Sequence, residues 1–260
     1  MKRQRRAKEW FDNDAFWRET FSYIFAEKRV ALASELIDKA LRLTNLKGKS
    51  ALDLGCGTGK FAIALAERGF SVTAVDRTKY LLDKARAKAR STHITVEWVQ
   101  EDMRDFVRRD AYDFVLSMFS TFGYFDDRRE DAAVLANVSK SLRPGGVFLM
   151  DIMGKEILAK IFQRSSAQTL PDGSVLVEQR SILDDWTRVL NEWTVIRNRR
   201  ARKFTFLLNI YSGQELRHEM ERAGLVDVRL YGNLDGDPYG ADASRLIAVG
   251  RKAGSSVRRR

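Results

Sequence analysis

Apolar and polar positions follow two alternating rhythms along most of the chain. Phe16, Trp17, Phe21, Ile24 and Phe25, then Val30, Leu32, Leu36, Ile37 and Leu41, recur at helical spacing, which predicts one or two helices over residues 14–43. Lys47-Gly48-Lys49 breaks that pattern, and Ala51-Leu52-Asp53-Leu54 reads as a short strand. Phe61, Ile63, Ala64 and Leu65 predict a helix that stops at Arg68-Gly69. The alternation then repeats: strand at 71–75, helix at 78–90 capped by Thr78, strands at 94–99 and 112–118, helix at 128–142, and strand at 146–152 after the turn Arg143-Pro144-Gly145. Strand and helix in succession imply a parallel sheet covered on both faces. Ligands on such sheets bind beyond the carboxyl ends of the strands.

From about residue 153 to 211 the rhythm changes. Residues 174–183, 187–196 and 204–211 have strand composition, separated by Asp184-Asp185-Trp186 and a basic stretch at 197–203, which predicts a small antiparallel insertion. Ser212, with Glu215 three residues on, is a capping box that opens a helix over 212–223. Gly224 stops it, and residues 226–231 and 245–251 read as the last strands. The expected organisation is a basic tail (1–8), a helical cap (9–46), an α/β core (47–152), a β insertion (153–211), the end of the core (212–251) and a second basic tail (252–260).

Composition narrows the function classes. Two hundred and sixty residues that are 44% hydrophobic can bury a real core. No stretch approaches the roughly 20 apolar residues of a membrane helix, and the N-terminus lacks the apolar segment of a secretory signal. One cysteine and two histidines are too few for a His/Cys metal site, so no metal is expected and a reducing, cytoplasmic setting is. The net charge of +11 suggests an anionic partner, but ten of the 46 basic residues lie in the acid-free segments 1–8 and 251–260, leaving 36 against 35 acidic residues between them. The basicity therefore belongs to two tails, read either as solvated ends or as nucleic-acid arms.

The turn Gly55-Cys56-Gly57-Thr58-Gly59 ends a strand and opens a helix. Glycines let the backbone approach a ligand closely, and a helix start offers unpaired N–H groups. Twenty-one residues after Gly55 the second strand ends in Asp76, whose carboxylate can accept both hydroxyls of a ribose. Together they point to an adenosine-containing cofactor. The spacing is not the Gly-x-Gly-x-x-Gly of dinucleotide sites, and Gly59-Lys60-Phe61 lacks the hydroxyl of a phosphate-binding P-loop.

Residues 52–59 followed by Val75-Asp76 resemble the first two motifs of class I S-adenosylmethionine-dependent methyltransferases. Glu101-Asp102-Met103 resembles their adenine-holding segment, Tyr112-Asp113-Phe114-Val115 their fourth-strand motif, and residues 142–146 the turn before their fifth strand. The resemblance implies a Rossmann-like, mainly parallel seven-stranded sheet with its last strand antiparallel, and S-adenosyl-L-methionine as cofactor. It assigns Gly55 and Gly57 to the methionine part, Asp76 to the ribose, Leu81 to one adenine face and Asp102 to the adenine amino group. Cys56, Arg77, Met103 and Met118 are expected beside them. Cys56, with no basic partner evident, reads as an inert filler of the turn.

Methyl transfer from a sulfonium requires alignment and exclusion of water more than strong acid or base groups. The stretch from Ser117 to Phe125 lacks the Asn/Asp-Pro-Pro-aromatic segment of enzymes acting on nucleic-acid bases, and resembles the loop of small-molecule enzymes such as glycine/sarcosine and amino-sugar N-methyltransferases. Some of the latter carry a histidine where Tyr124 stands. Tyr124 either orients the acceptor or relays its proton, making it the candidate catalytic residue, or walls the pocket. Trp17, Tyr23 and Arg29 resemble the cap that closes over the cofactor, with Arg29 on its carboxylate, or belong to a helix packed on the sheet. The insertion either roofs the acceptor pocket or builds a homodimer interface. The expected activity is methylation of a small-molecule nitrogen or oxygen. The alternatives are an RNA or protein methyltransferase using the basic tails, and a non-catalytic cofactor-binding module.

Overall fold

The computed structural model describes residues 9–26 and 31–254, so Arg29, the first basic tail and residues 255–260 lie outside the described residues. Apolar strands β1 (Ser50–Leu54), β2 (Ser71–Asp76), β3 (Glu97–Gln100), β4 (Tyr112–Ser117) and β5 (Leu142–Ile152) pair in parallel, and β10 (Leu225–Tyr231) and β11 (Leu246–Lys252) complete a seven-stranded sheet. Its order is β10-β11-β5-β4-β1-β2-β3, with β11 antiparallel to both neighbours. The expected Rossmann-like sheet is thus present, with β1 at the point where the strand order reverses.

Side chains leave a strand alternately to its two faces. Ala51, Ala74, Phe114, Leu116 and Leu149 pack against helices α2 (Ala33–Thr44) and α3 (Lys60–Glu67). Leu52, Leu54, Val115, Phe148 and Met150 face the side covered by α5 (Arg128–Ser141) and α7 (Gly213–Arg222). Helix α4 (Lys79–Ser91) follows β2. Its predicted cap is revised: Thr78 occupies the N-cap position but makes no side-chain capping bond.

The insertion forms a separate antiparallel sheet, β6 (Ser165–Thr169), β7 (Val175–Leu183), β8 (Arg188–Arg197) and β9 (Arg200–Asn209), preceded by α6 (Lys155–Ile161). Here the sequence reading is corrected in three places. Strand β6, Ser-Ser-Ala-Gln-Thr, has no apolar alternation and is held to β7 by backbone pairing and by polar side-chain bonds of Ser166 to Glu178 and Arg180 and of Gln168 to Glu178. The basic stretch at 197–203 is not a loop, because β8 and β9 run through it to a two-residue turn at Asn198-Arg199, both at positive φ as such hairpins require. Residues 143–145 lie within β5, where the register against β4 jumps from Tyr112↔Leu142 to Phe114↔Val147. Helix α1 (Asp14–Ile24), capped by the Asn13 side chain at the Ala15 N–H, rests on the small sheet, with Phe16 against Leu176, Val195, Phe204 and Phe206.

Gly59 closes the first turn at φ +74°, and a Cβ there would run into the Trp98 ring. Gly59→Ala is expected to destabilise the fold by roughly 1–3 kcal/mol, from the left-handed backbone and the displaced indole together. Urea denaturation measures it, and an unchanged midpoint would contradict the account.

Candidate active site

Residues 55–59 hold their turn by bonds that reach across to the neighbouring strand. The N–H groups of Gly55 and Cys56 both donate to the Val75 carbonyl, at 2.8 and 2.9 Å, while Gly55, Gly57 and Gly59 all sit at positive φ. Asp76 accepts from the Gly57 N–H through Oδ2 and from the Thr78 N–H through Oδ1, each at 2.8 Å. One carboxylate thus fastens the glycine turn to the start of α4. Burial pushes its carboxyl up, opposed by those two N–H groups and by the Thr78 side chain.

Asp53, one strand over, is 1% exposed and accepts from the Ala62 N–H at 3.0 Å, bracing α3 on β1. Burial raises its carboxyl to about 7, with the nearby Asp76 charge adding to the effect. Cys56 is 6% exposed, and burial together with both carboxylates pushes its thiol well up, so it stays protonated and inert.

Above this turn opens a cavity of about 380 Å³. Trp17, Tyr23, Gly55, Cys56, Gly57, Asp76, Arg77, Leu81, Asp102, Met103, Met118 and Tyr124 all line it, so the structure gathers every described residue singled out above. Its far end is aromatic: Trp10 packs on Phe16, Trp17, Tyr124 and Phe206 at centroid distances of 4.9–5.8 Å, and Trp193 joins through Phe16 and Phe206. Tyr124 is pushed up to about 12 by burial, so its phenol is neutral. The charged lining residues belong to the α/β core, Lys60 at the start of α3 and Asp76, Arg77, Glu101 and Asp102 at strand ends and loops, whereas β8 and β9 contribute only Asn191, Trp193, Phe206 and Leu208.

The N-terminal segment is tied across the cavity by charge. Arg77 pairs with Glu9, Asp12 and Asp102 at 2.6–2.8 Å, and Arg104, its side chain 2% exposed, pairs with Glu9, Asp102 and Glu130 at 2.5–3.0 Å. Both Asp102 oxygens are committed: Oδ1 accepts from the N–H and Nε of Arg104, Oδ2 from Arg77 and Arg104. Burial works to raise the Asp102 carboxyl, but the Arg104 bonds and charge outweigh it and hold it low.

Beyond Met118 the chain makes two consecutive left-handed residues, Phe119 and Ser120, at φ +60° and +59°. Such conformations persist only where surroundings impose them. Here the Ser120 N–H donates to the Asp151 carbonyl, Arg245 donates to both Asp151 and the Ser120 hydroxyl, and Phe119 stacks on Phe61 beneath the Lys60 ammonium.

Residues 51–146 match the family model described as a methyltransferase domain. The cypemycin N-terminal methyltransferase of Streptomyces sp. is 38% identical over 106 residues, covering 41% of this chain and 42% of that protein. The glycine N-methyltransferase of Rattus norvegicus is 34% identical over 114 residues, covering 38% and 39%. The chain spans about two fifths of the length of these curated relatives. A crystal structure of an S-adenosylmethionine-dependent methyltransferase from Clostridium acetobutylicum superposes with a TM-score of 0.74 at 19% identity, covering 93% of this chain and 99% of that one. Residues 51–146 are thus similar to a methyltransferase domain, and the chain shares the fold of an S-adenosylmethionine-dependent methyltransferase.

The cavity walls also include residues that the sequence reading did not single out. Trp10 and Phe11 follow a charged segment with no helical period, and Trp193 and Phe206 come from strands that alternation identifies without showing which face meets the site. Behind the cavity wall, Asp151 of β5 and Arg245, just before β11, meet because those strands are neighbours.

The raised Asp53 carboxyl makes stability depend on pH. The native state keeps that proton up to about pH 7, whereas an unfolded aspartate loses it near 3.9. The contribution is therefore complete below about pH 4 and is lost as pH rises to about 7. Asp53→Asn retains an oxygen for Ala62 but has no proton to lose. Thermal midpoints at pH 4.5 and 7.5 should fall further in the wild type than in the variant, and equal falls would mean that Asp53 is ionised throughout.

Proposed function

We propose that this chain transfers a methyl group from S-adenosylmethionine to a small-molecule nitrogen or oxygen acceptor, with nitrogen favoured because one named relative is a glycine N-methyltransferase. The observation that carries the reading is Asp76. It ends the second strand at the cavity wall, and each of its oxygens is tied to one backbone N–H, leaving further lone pairs for a pair of hydroxyls. The glycine turn supports the same ligand. A Cβ on Gly55 would lie 3.0 Å from Thr121 Cβ and 3.2 Å from Met103 Cε, filling the strip between turn and loop that a bound chain would use.

In this reading the apolar sides of Leu81 and Met103 take an adenine ring. Asp102 takes its amino group only by exchanging one of its four arginine hydrogen bonds, since those use its roughly four lone-pair positions. Bound cofactor would supply a methyl already activated on a sulfonium. The protein's own work is then alignment and drying, which the aromatic end formed by Trp10, Phe16, Tyr124 and Phe206 serves. Tyr124, neutral below about pH 12, orients the acceptor by donating or accepting a hydrogen bond and does not act as the base. The cap (9–46) and the insertion (153–211) close the acceptor side.

Titration calorimetry with S-adenosylmethionine tests the cofactor half. Asp76→Asn should weaken binding by about tenfold or more, in line with loss of a charged acceptor, with circular dichroism unchanged; retained affinity would remove the ribose role. A screen with methyl-labelled cofactor over amines and phenols tests the acceptor half, and no turnover despite tight binding would overturn it. On the acceptor found, Tyr124→Phe should keep within about tenfold of wild-type kcat, because no proton abstraction is lost. A drop of a thousandfold would make the phenol a proton carrier.

A further inference from the structure

We infer that Asn209, braced by Asp131, is a positioning residue that fixes Tyr124 against the acceptor space. The inference rests on the proposed acceptor-facing role of Tyr124 and on contacts that the catalytic reading does not use. Asn209 ends β9 and grips the residues on either side of Tyr124. Its backbone N–H donates to the Gly123 carbonyl at 2.6 Å, and its side-chain Nδ2 donates to the Phe125 carbonyl at 2.8 Å. The same Nδ2 donates at 2.8 Å to Asp131 Oδ2, which also accepts the Tyr211 hydroxyl at 2.8 Å.

All of this is out of water: Asn209, Asp131 and Tyr211 are 3%, 1% and 3% exposed. A buried carboxylate and carboxamide are costly unless bonded, and they are retained where they specify one arrangement. What they specify here is the height of the Tyr124 backbone over the sheet. Gly123 completes the fit, at φ +98°, because a Cβ there would stand 2.5 Å from the Asn209 carbonyl oxygen. The grip therefore joins three segments far apart in sequence: the loop after β4, the first turn of α5, and the end of the insertion at β9. It transmits the seating of the small sheet directly to the acceptor loop.

The accepting geometry makes a sharp distinction between two Asp131 variants. Oδ2 takes both bonds and Oδ1 takes none. Asp131→Asn can place its carbonyl oxygen where Oδ2 stands and keep the grip, whereas Asp131→Ala cannot. Hydrogen–deuterium exchange in peptides covering 119–126 and 205–211 reads the grip without any acceptor, and S-adenosylhomocysteine calorimetry reads the cofactor side.

Asn209→Ser, Asp131→Ala and Gly123→Ala should each raise exchange in those two peptides at least fivefold. Peptides from β1 and α3 should be unchanged, and S-adenosylhomocysteine affinity should stay within threefold. Asp131→Asn should behave as wild type in all three. Exchange that is unchanged at 119–126, or that rises equally across the large sheet, would overturn the inference, as would an Asp131→Asn variant as loose as Asp131→Ala. Failure of the cofactor reading shows separately, as wild-type protein that does not bind S-adenosylhomocysteine at all, and leaves the exchange comparison standing.

Discussion

The arrangement depends on one buried carboxylate bridging two pieces of backbone. Asp76 takes the Gly57 N–H with one oxygen and the Thr78 N–H with the other, so the end of β2 sets the shape of the turn after β1 and the start of α4 together. Without that bridge, three residues at positive φ within five positions would be a flexible loop. With it they form a fixed wall. The two N–H groups that a ligand would otherwise have to satisfy are already satisfied from within, which leaves the outer side of the carboxylate as the polar feature of that wall. Asp53 performs a parallel task one strand away, tying α3 to β1. Burial makes ionisation costly there and the nearby Asp76 charge adds to it, which is why Asp53 holds its proton so far above the ordinary range.

Around this rigid base the walls are of two kinds. The core brings all the charged lining residues and some rings, Tyr124 among them, while the cap and the insertion bring mainly aromatic rings. The division follows from how each part is stabilised. The large sheet has helices on both faces and buries its apolar residues there. The four-stranded sheet has no second layer of its own among the described residues, and its inner face finds apolar cover in α1, the residues before it and Tyr124. The aromatic end of the cavity is thus also the hydrophobic core of the smaller unit. Substitutions among Phe16, Trp193 and Phe206 would therefore change stability and site together.

How much of this was legible in the sequence followed the range of the interaction. The parallel core announces itself because each strand is a run of adjacent apolar residues, and the glycine turn because its strain is local. Asp76 stands out by its place at a strand end. Strand β6 escapes because serine, alanine, glutamine and threonine carry no alternation, and what holds it is backbone pairing with β7 together with polar bonds to Glu178 and Arg180. Asn209, Asp131 and Tyr211 escape for the opposite reason. Each looks like an ordinary polar residue, and what makes them a unit is a contact spanning about 80 positions. Arg77 and Asp102 illustrate a third limit, since motif spacing locates them without revealing that the acidic residues before α1 engage the same charges.

That last contact has a further meaning for how the pocket is opened. The segment before α1 is fastened over the cavity by guanidinium–carboxylate pairs at Arg77 and Arg104, alongside the rings of Trp10 and Phe11. The partly wetted Arg77 pairs weaken as dissolved salt shortens the reach of charge, whereas the buried Arg104 pairs and the ring contacts are far less affected. The mouth of the cavity is therefore held in part by contacts that respond to the electrolyte around it, whereas the hydrogen-bonded base beneath it is not.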